Sequence, residues 1–397
     1  MSVALTAACG SESGAADTPA TPAVDLAALD VGGFTTQPKP YGKVNSIELA
    51  KLVEAERMAN HLPLPQEIMP EAKYGPSAMG GAIRPFIDFS SAAVQSRANA
   101  DPAAMHAAAP GFVSGFVTTG RSDAVANLSY ELDNLVMIFS DEKSASDAAT
   151  ALGQLDLAAV PENQPVQLPD YPNAVAYTTD HPLSGPGQIR SWYATGKFVI
   201  FSYVYDSIMS ELKEADQAKL VERVQRSIST ISPRVAKFQP TPVDQLMNLD
   251  TDMDGVLARA LSTVVDDQSQ RGIPGVYDRQ GGLHISPAPE IDKPLFEATG
   301  VDRVAWRGNW VYRTQDPDAA ARFVEERSET TRRITRVESP KGLPNAQCRK
   351  LLGASKYEIA YYCYVAYDRY AAEVAANQLA DAQQRISAQY ALLANSK

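Results

Sequence analysis

The sequence predicts an α+β protein made of two tandem, internally duplicated units of ferredoxin-like kind, in which antiparallel sheets are covered by helices. Two observations lead to this fold class. Strand-like and Ala-rich helical segments follow one another in the same order in both halves of the chain, and short motifs recur between the halves. A length of 397 residues, with 45% apolar and 21% charged residues, is ordinary for a chain of two or three folded domains.

Charge and hydropathy narrow the classes of partner. The formal net charge of -11 argues against non-specific affinity for nucleic acid and for anionic lipid headgroups, because both depend on clustered Lys and Arg. No apolar run approaches the roughly 18 to 20 residues that span a bilayer. The sequence therefore predicts no internal transmembrane helix.

The first residues carry a signal for export. Small residues lead into a cysteine in Leu5-Thr-Ala-Ala-Cys9-Gly-Ser, and Ser-, Ala-, Thr- and Pro-rich sequence follows. This resembles the end of a bacterial lipoprotein signal peptide, which implies that residues 1–9 are its remnant and that Cys9 is lipidated. Residues 10–29 have three acidic and no basic residues and are expected to form a disordered linker. Because Thr6 stands where the pattern has Leu, an ordinary N-terminal tail is the alternative.

The N-terminal domain is expected over residues 30–237, with folded sequence beginning at Leu26. Ser46 precedes apolar residues at helical spacing, which predicts a capped helix to Ala59. From Gly111 onward, alternating apolar residues predict strands. The elements expected there are strands over 112–119, 128–139, 175–179, 189–193 and 198–205, and helices over 142–155 and 210–231.

Three motifs that recur between the two halves of the chain indicate the duplication. A linker is expected over residues 238–250 and a C-terminal domain over residues 251–397. The motifs keep the same order, which favours duplication over chance similarity, and their decreasing offsets indicate shorter loops in the second copy. The matches are Asn134–Asp141 with Asn309–Asp316 (offset 175), Pro172–Ala174 with Pro344–Ala346 (offset 172), and Phe198–Val204 with Ile359–Val365 (offset 161). The last helix is expected from about Tyr370 to Asn395.

Two cysteines lie close together near the end of the chain. In an exported protein Cys348 and Cys363 are expected to form a disulfide, and closing a loop of about 15 residues stabilises the fold by about 3 kcal/mol. A simple hairpin register sets Cys348 opposite Tyr361, so the sulfurs are expected to meet diagonally or across a bulge. The motif alignment places Ser202 opposite Cys363. Buried free thiols or a reactive pair are the alternatives.

Three aspartates form a motif with two interpretations. Asp250, Asp252 and Asp254 precede a glycine as in the first half of an EF-hand calcium loop. Leu261 occupies the twelfth position, where such a loop needs a bidentate Glu. The sequence therefore favours an acidic cap on a helix over 255–265, with calcium as the alternative.

Catalytic signatures are not evident in the sequence. None of His61, His106, His181 and His284 has zinc-ligand spacing, and nucleophile-elbow, zincin, P-loop and dinucleotide-binding motifs are missing. No cofactor is therefore predicted. The tyrosine-rich strand near the end offers Tyr362 and Tyr364 as an exposed aromatic platform for a lipid, glycan or protein; a second packing layer is the favoured alternative.

Several segments resemble a family of uncharacterised exported actinobacterial lipoproteins with two related domains. They are Ala28–Pro38, Glu56–Ala59, Gly255–Leu261, Gly275–Tyr277 and Gly300–Trp306. The resemblance implies an extracytoplasmic, lipid-anchored protein but carries over no catalytic residue. We expect a non-enzymatic binding, sensing or adaptor module of the cell envelope. The alternatives are a structural subunit of an envelope membrane complex and an envelope hydrolase with an unrecognised site.

Overall fold

The computed structural model describes residues 24–76, 85–181, 185–263, 274–355 and 358–396. Within these ranges the chain forms two seven-stranded sheets in which every pair of neighbouring strands is antiparallel. Helices pack on both sheets, which confirms the α+β class. Cys9 and the expected signal-peptide remnant lie outside the described residues.

The N-terminal unit holds the first sheet and the first seven helices. Its strands are β1 (Pro85–Phe86), β2 (Phe112–Arg121), β3 (Tyr130–Phe139), β4 (Asn163–Val166), β5 (Val175–His181), β6 (Gly185–Thr195) and β7 (Phe198–Asp206). Its helices are α1 (Ile47–Ala59), α2 (Pro65–Ile68), α3 (Ala92–Gln95), α4 (Pro102–Ala108), α5 (Glu142–Ala158), α6 (Ser207–Leu212) and α7 (Gln217–Val235). The helix expected over 210–231 is therefore divided, because Lys213 ends α6 in the left-handed region at φ 57°.

Alternation along the strands sends apolar side chains to both faces of this sheet. On one face, α5 packs in a core that includes Leu135, Met137 and Phe201. On the other face, α7 packs in a core that includes Val136 and Ile200. The unit therefore has three layers, with helices on both faces of the sheet. Both faces of its central strands are apolar because both are covered.

The C-terminal unit holds the second sheet. Its strands are β8 (Gly275–Asp278), β9 (Arg303–Trp306), β10 (Trp310–Arg313), β11 (Ile334–Val337), β12 (Gln347–Leu351), β13 (Tyr361–Tyr367) and β14 (Tyr370–Ala376). Its helices are α8 (Arg279–Ile285), α9 (Pro289–Ala298), α10 (Pro317–Arg327) and α11 (Leu379–Ala394). Tyr312 and Tyr364 pack with α10 on one face, and Val311 and Val374 pack with α11 on the other.

The last helix begins later than the sequence predicted, because the central strand of the second sheet occupies its expected start. Residues 370–376 form β14, which lies between β13 and β10, and the helix begins only at Leu379. Alanine favours helices intrinsically, but tertiary packing overrides that preference here. Because α10 and α11 cover opposite faces of the strand, its small side chains are buried on both, including Ala371 and Ala372.

The two sheets share one strand order. It is β1-β2-β3-β7-β6-β5-β4 in the first and β11-β12-β13-β14-β10-β9-β8, the same order read from the other edge, in the second. Four strands stand between the two long helices of each described unit, so a ferredoxin-like β-α-β-β-α-β unit is too small to describe it.

The strand registers relate the last strands of the two units at one constant offset. Trp192 pairs with Phe201 in the first sheet, and Tyr364 pairs with Glu373 in the second. Both matches have an offset of 172 residues, the value already seen for Pro172 and Pro344. The motif match at an offset of 161 is therefore wrong: the tyrosine-rich strand β13 corresponds to β6, and β14 corresponds to β7.

The first described residues pack on the C-terminal unit. We call residues 24–36 the N-terminal strap. Leu29 is buried in the C-terminal core, and Phe34 packs with a cluster that includes Leu392 of α11. Gln384 Nε2 donates to both carboxylate oxygens of Asp30 at 3.1 and 3.2 Å. The end of the expected disordered linker, residues 24–29, is thus ordered, and the strap adjoins the unit opposite to the one expected.

A tight seam joins the two units. The backbone N–H of Asp278 donates to Oδ1 of Asn60 at 3.1 Å, and Gln280 Nε2 donates to the carbonyl of Leu62 at 2.9 Å. The ring of His284 contacts the same carbonyl at 3.1 Å. Tyr277 of β8 belongs to the N-terminal core, so apolar packing crosses the seam as well.

The segment between the two sheets is fixed to α1. Thr241 donates from its backbone to Oε1 of Glu54 at 2.6 Å, and its hydroxyl donates to Oε2 at 3.0 Å. Arg57 Nη1 bonds the Thr241 hydroxyl at 2.6 Å and the Glu54 carboxylate at 2.5 Å. Phe238 and Leu246 are buried in the N-terminal core. The residues expected to be a linker therefore form a packed wall.

Candidate functional site

The disulfide joins two neighbouring strands of the second sheet. Cys348 on β12 pairs directly with Cys363 on β13, and their Cα atoms lie 4.1 Å apart. The diagonal register expected from the sequence is therefore wrong, although the pairing of the two cysteines is present. Both residues are buried in the core beneath α11. This disulfide indicates an oxidising, extracytoplasmic setting.

The positions equivalent to the disulfide differ from those expected. At the offset of 172 residues, Ala176 and Ser191 of the first sheet stand where the second has Cys348 and Cys363, and they too are a directly opposed pair. Ser202 corresponds instead to Val374. The first sheet thus holds the same strand geometry without a covalent bond.

The aromatic platform is mostly interior. Tyr364 is 1% exposed and packs in the core under α10, so it cannot form part of an open binding surface. Tyr362 is half-buried at the edge of the same cluster. The guanidinium of Arg349 lies 4.8 Å from the Tyr364 ring centroid and 5.8 Å from that of Tyr362. Arg349 thus covers the two rings with a cation–π contact.

A buried ionic cluster lies beside the platform and holds α9 and α10 against the sheet. Arg327 at the end of α10 donates through Nε to Glu373 of β14 at 3.0 Å, and it also pairs with Asp292 of α9. Burial raises the pKa of Asp292, although Arg327 and the Ser286 hydroxyl both act to lower it. One guanidinium thus joins carboxyl groups from two other elements, which fixes α9 and α10 to the sheet.

The N-terminal sheet contains a second polar network, which the sequence did not indicate. Arg97 lies just after α3, in a segment for which the sequence predicted no helix or strand. Its Nε donates to Asp133 of β3 at 2.5 Å. Arg190 stacks on the Tyr203 ring at 4.3 Å and donates to the carbonyl of Arg97 at 2.6 Å. Both arginines are buried. The sequence contains no motif that predicts this network, because its members lie on separate strands and one loop.

The three aspartates of the possible calcium loop turn to different partners. Asp250 pairs with Lys43 at 2.9 Å, and Asp254 pairs with Arg303 at 3.1 Å. Asp252 accepts from two backbone N–H groups, those of Leu257 and Ala258, both at 2.8 Å. The expected capping role of Asp252 is present, but what it caps is a single 3-10 turn over Leu257–Arg259 instead of a helix over 255–265.

Metal-binding clusters are missing throughout the part of the chain that the structure describes. No group of three or more His, Cys, Asp or Glu side chains there is placed to hold a metal ion. No helix in those residues is long and apolar enough to cross a membrane.

Two histidines have roles in packing. His284 is buried at the seam, and burial lowers its pKa to about 4 while the bond to the Leu62 carbonyl acts to raise it. His106 meets the ring of Phe89 edge-on at 5.2 Å between centroids. His284 is therefore a buried neutral imidazole that packs against a carbonyl, and His106 packs against an aromatic ring.

Two open cavities in the described part of the chain are large enough for a small ligand. We call the first the linker cleft: it has a volume of about 490 Å³ between the end of the first sheet and the segment that joins the units. Its walls are Val113, Ile138, Phe139, Ser140, Lys197 and residues 240–244. The second, of about 500 Å³, lies where β13 and β14 meet the start of α11, and Asp381 and Arg385 at its wall neutralise each other at 2.8 Å.

The linker cleft combines an apolar floor with a few polar groups. Ile138 and Phe139 at the floor are almost completely buried, and Val243 at the rim is half exposed. Lys197 lies in the turn between β6 and β7 and makes no ion pair with any residue that the structure describes. Small-molecule sites typically have this composition and lie at junctions between domains.

Comparison with known proteins identifies one family. The model described as the N-terminal domain of unknown function DUF7373 matches residues 41–251, and the model described as its C-terminal domain matches residues 256–396. Together the two matches cover most of the chain. No curated protein and no solved structure matched it.

Proposed function

We propose that this chain, which belongs to the DUF7373 family, is a binding module held by a lipid anchor at the extracytoplasmic face of an actinobacterial membrane. The observation that carries the binding function is the linker cleft, because it is an open cavity of ligand size with an apolar rim residue, Val243, and with Lys197 and Asp244 at its wall. The compartment rests on separate observations.

The disulfide and the strap support the compartment and the anchor. Cys348 and Cys363 are joined, as expected in an oxidising environment. The strap lies on α11, so the chain enters the described residues at the C-terminal unit. An anchor at Cys9 is 15 residues from the start of the strap, a length of chain that reaches at most about 50 Å, so it would keep the C-terminal unit within that distance of the bilayer.

We also infer that the two units arose by duplication. The common strand order supports this, and so does the constant offset of 172 residues over the last three strands. Asp141 and Asp316 cap α5 and α10 in the same way, each accepting from the backbone N–H three residues on. The linker cleft lies in the first unit alone, which gives the two copies different tasks.

The chemistry of the linker cleft suits an amphipathic ligand with an anionic group. An apolar part fits the exposed rim at Val243, and Lys197 is placed to pair with the charge. Native mass spectrometry of the protein purified from its own membrane tests this. Recovery of a bound anionic amphiphile is the expected result, and repeated recovery of protein without any ligand contradicts the binding function.

Variants locate the ligand. Lys197→Glu is expected to weaken binding about tenfold or more, since loss of a charge-assisted bond costs about 1.5–3 kcal/mol. Lys219→Glu, at an exposed position on α7, makes the same charge change away from the cleft and is expected to bind as the unaltered protein does. Equal loss of ligand in both variants rules out the linker cleft as the site.

A second candidate function has one specific observation behind it. Four exposed aliphatic residues come together where the β2–β3 connection meets α6, namely Val125, Leu128, Ile208 and Leu212. The backbone N–H of Ser207 bonds the carbonyl of Ser129 at 3.1 Å, which fixes the two segments together. Such a patch suits a subunit of an envelope complex. Gel filtration with crosslinking tests this role, and a strictly monomeric protein without partners in its membrane contradicts it.

A further inference from the structure

Glu56 is a buried acid at the seam between the units. It lies in the last turn of α1 and is 4% exposed. Its carboxyl group rests on the backbone of Gly275 at the start of β8, where any Cβ atom would overlap it. Among the described residues, Oε1 of Glu56 has no hydrogen-bond partner. A charge in such a place is very costly, so the group is held in its neutral form.

A neighbouring acid on the same helix shows the contrast. Glu54 is equally buried, but Thr241 and Arg57 satisfy both of its carboxylate oxygens. Glu54 is therefore an ion-paired carboxylate that ties the linker to α1. Glu56 lies two residues further along, on the other side of the helix. It meets the C-terminal unit without any such compensation. The two acids differ in partners and not in depth.

The elements packed against α1 supply no counter-charge. Burial is the cause that raises the pKa of Glu56 well above its ordinary value of 4.5. The titratable and charged groups that these elements carry have other partners or face Glu56 as a neutral group. They are Arg121 of β2, bonded to Gly75; Tyr277 and Asp278 of β8; Arg279 of α8, bonded to Val301; and His284 of α8, against Leu62. Asp244, in the turn within the linker that packs against α1, is exposed and is an acid, so it supplies no positive charge.

The seam itself depends on close backbone contact. Besides Gly275, Gly281 of α8 lies against Oδ1 of Asn60, and a Cβ atom there would overlap that oxygen. The same Asn60 oxygen accepts the backbone N–H of Asp278. At both points a side chain of the first unit rests directly on backbone of the second, so no room for water is left between the Glu56 carboxyl group and Gly275. Hydration of Oε1 therefore requires Glu56 and Gly275, and with them the two units, to move apart locally.

We propose that the seam is a proton-controlled latch, closed while the Glu56 carboxyl group is protonated and loosened when it loses its proton. The latch regulates how rigidly the two units are joined. It is independent of the binding function proposed above, since it rests on α1, β8 and α8 alone.

The direction of the pH effect follows from the environment of Glu56. Because the folded state raises the pKa of Glu56, the stability of the closed seam is fully present below about 4.5 and is lost as the pH rises through the folded-state pKa. His284 acts in the opposite direction, since its lowered pKa of about 4 costs stability as the pH falls below 6.5. The two effects oppose one another between about pH 4.5 and 6.5, and above 6.5 the effect of Glu56 continues alone.

Amide hydrogen exchange of the full chain, read by mass spectrometry and corrected for intrinsic rates, tests the latch between pH 5 and pH 9. The opening equilibrium of residues 275–285 is expected to rise with pH, by up to about tenfold for each pH unit between about 4.5 and the raised pKa of Glu56 in the closed seam, and to level off above that pKa. Residues 130–139 of β3 serve as the internal reference. Glu56→Gln keeps the size of the side chain but cannot ionise, so its seam is expected to lose this rise.

Two further variants complete the test. Glu48→Gln changes an exposed acid on the same helix and is expected to keep the pH response of the unaltered protein. Gly275→Ala displaces the Glu56 carboxyl group, so its seam is expected to open more at pH 5 and to change less with pH. The proposal is overturned if the unaltered seam is equally protected at pH 5 and pH 9, or if Glu56→Gln keeps the same pH response.

Discussion

The pair Cys348→Ala and Cys363→Ser gives the second sheet the residues that the first sheet has at Ala176 and Ser191. The exchange removes the bond but leaves a residue pair that a directly opposed strand position of this fold already accepts. Any loss of stability then reports on the covalent link with little contribution from poor packing. This makes the double variant a cleaner probe than substitution with two serines.

The expected loss follows from the loop that the bond closes. The cysteines are 15 residues apart, and a closed loop of this length stabilises by about 3 kcal/mol in the chain-entropy model. For a unit of this size each kcal/mol corresponds to about 2–4 °C. The transition of the C-terminal unit is therefore expected about 6–12 °C lower in the double variant, while the transition of the N-terminal unit stays in place.

Calorimetry and urea denaturation of the full chain measure the effect. Dithiothreitol is expected to lower the stability of the unaltered protein toward that of the double variant, and to leave the double variant unchanged. Ser191→Ala provides the matched control in the first sheet, because it alters the equivalent position without touching the bond. If the oxidised protein and the double variant unfold at the same urea concentration, the stabilising role assigned to the disulfide is wrong.

Three further results are expected from the fold. Leu29→Ala in the strap should lower the stability of the C-terminal unit by about 2–5 kcal/mol, measured by urea denaturation, and a loss in the N-terminal unit instead contradicts the assignment of the strap. Arg97→Ala leaves Asp133 buried without its partner and should cost about 3–5 kcal/mol in the same assay; adding Asp133→Asn should recover part of it. With the pKa of His284 lowered to about 4, this residue should contribute a loss of about 3 kcal/mol as the pH drops from 6.5 to 4, and thermal melts of His284→Gln should lack that contribution when compared with the unaltered protein at each pH.

The elements that the sequence predicted well are those with a strong local signal. The helix capped by Ser46 begins at Ile47, and the strand over 198–205 appears as β7. Asp141 both follows a strand and caps α5, so two local preferences agree at that residue. Where propensity, pattern and capping point the same way, tertiary context has nothing to overrule.

The missed elements have a common physical cause. The alanines of β14 favour a helix in isolation, and only the two helices that cover the strand explain them. Arg97 lies in a segment without periodicity, and its partner Asp133 is far away in sequence. The strap belongs to a core built from the other end of the chain. Each depends on long-range contacts, which no local pattern reports.

The candidate sites divide in the same way. The pairing of Cys348 with Cys363 followed from compartment and spacing, but their register depended on the length of an irregular turn. Tyr364 has the same alternation that an exposed platform would have, and only the position of α10 shows that it is interior. The linker cleft has no signature in the sequence at all, because its walls come from two strands, the β6–β7 turn and the linker.

The position of the strap sets an order of events for a chain that is made and exported from its N-terminus. Residues 24–36 emerge early, yet the helix on which they lie, α11, is the last element to appear. The N-terminal unit can close around its own core in the meantime, since domains generally fold as they are completed. The strap must wait, exposed, until almost the whole chain has crossed the membrane. The last step in the folding of this protein is therefore expected to be the packing of residues 24–36 against α11.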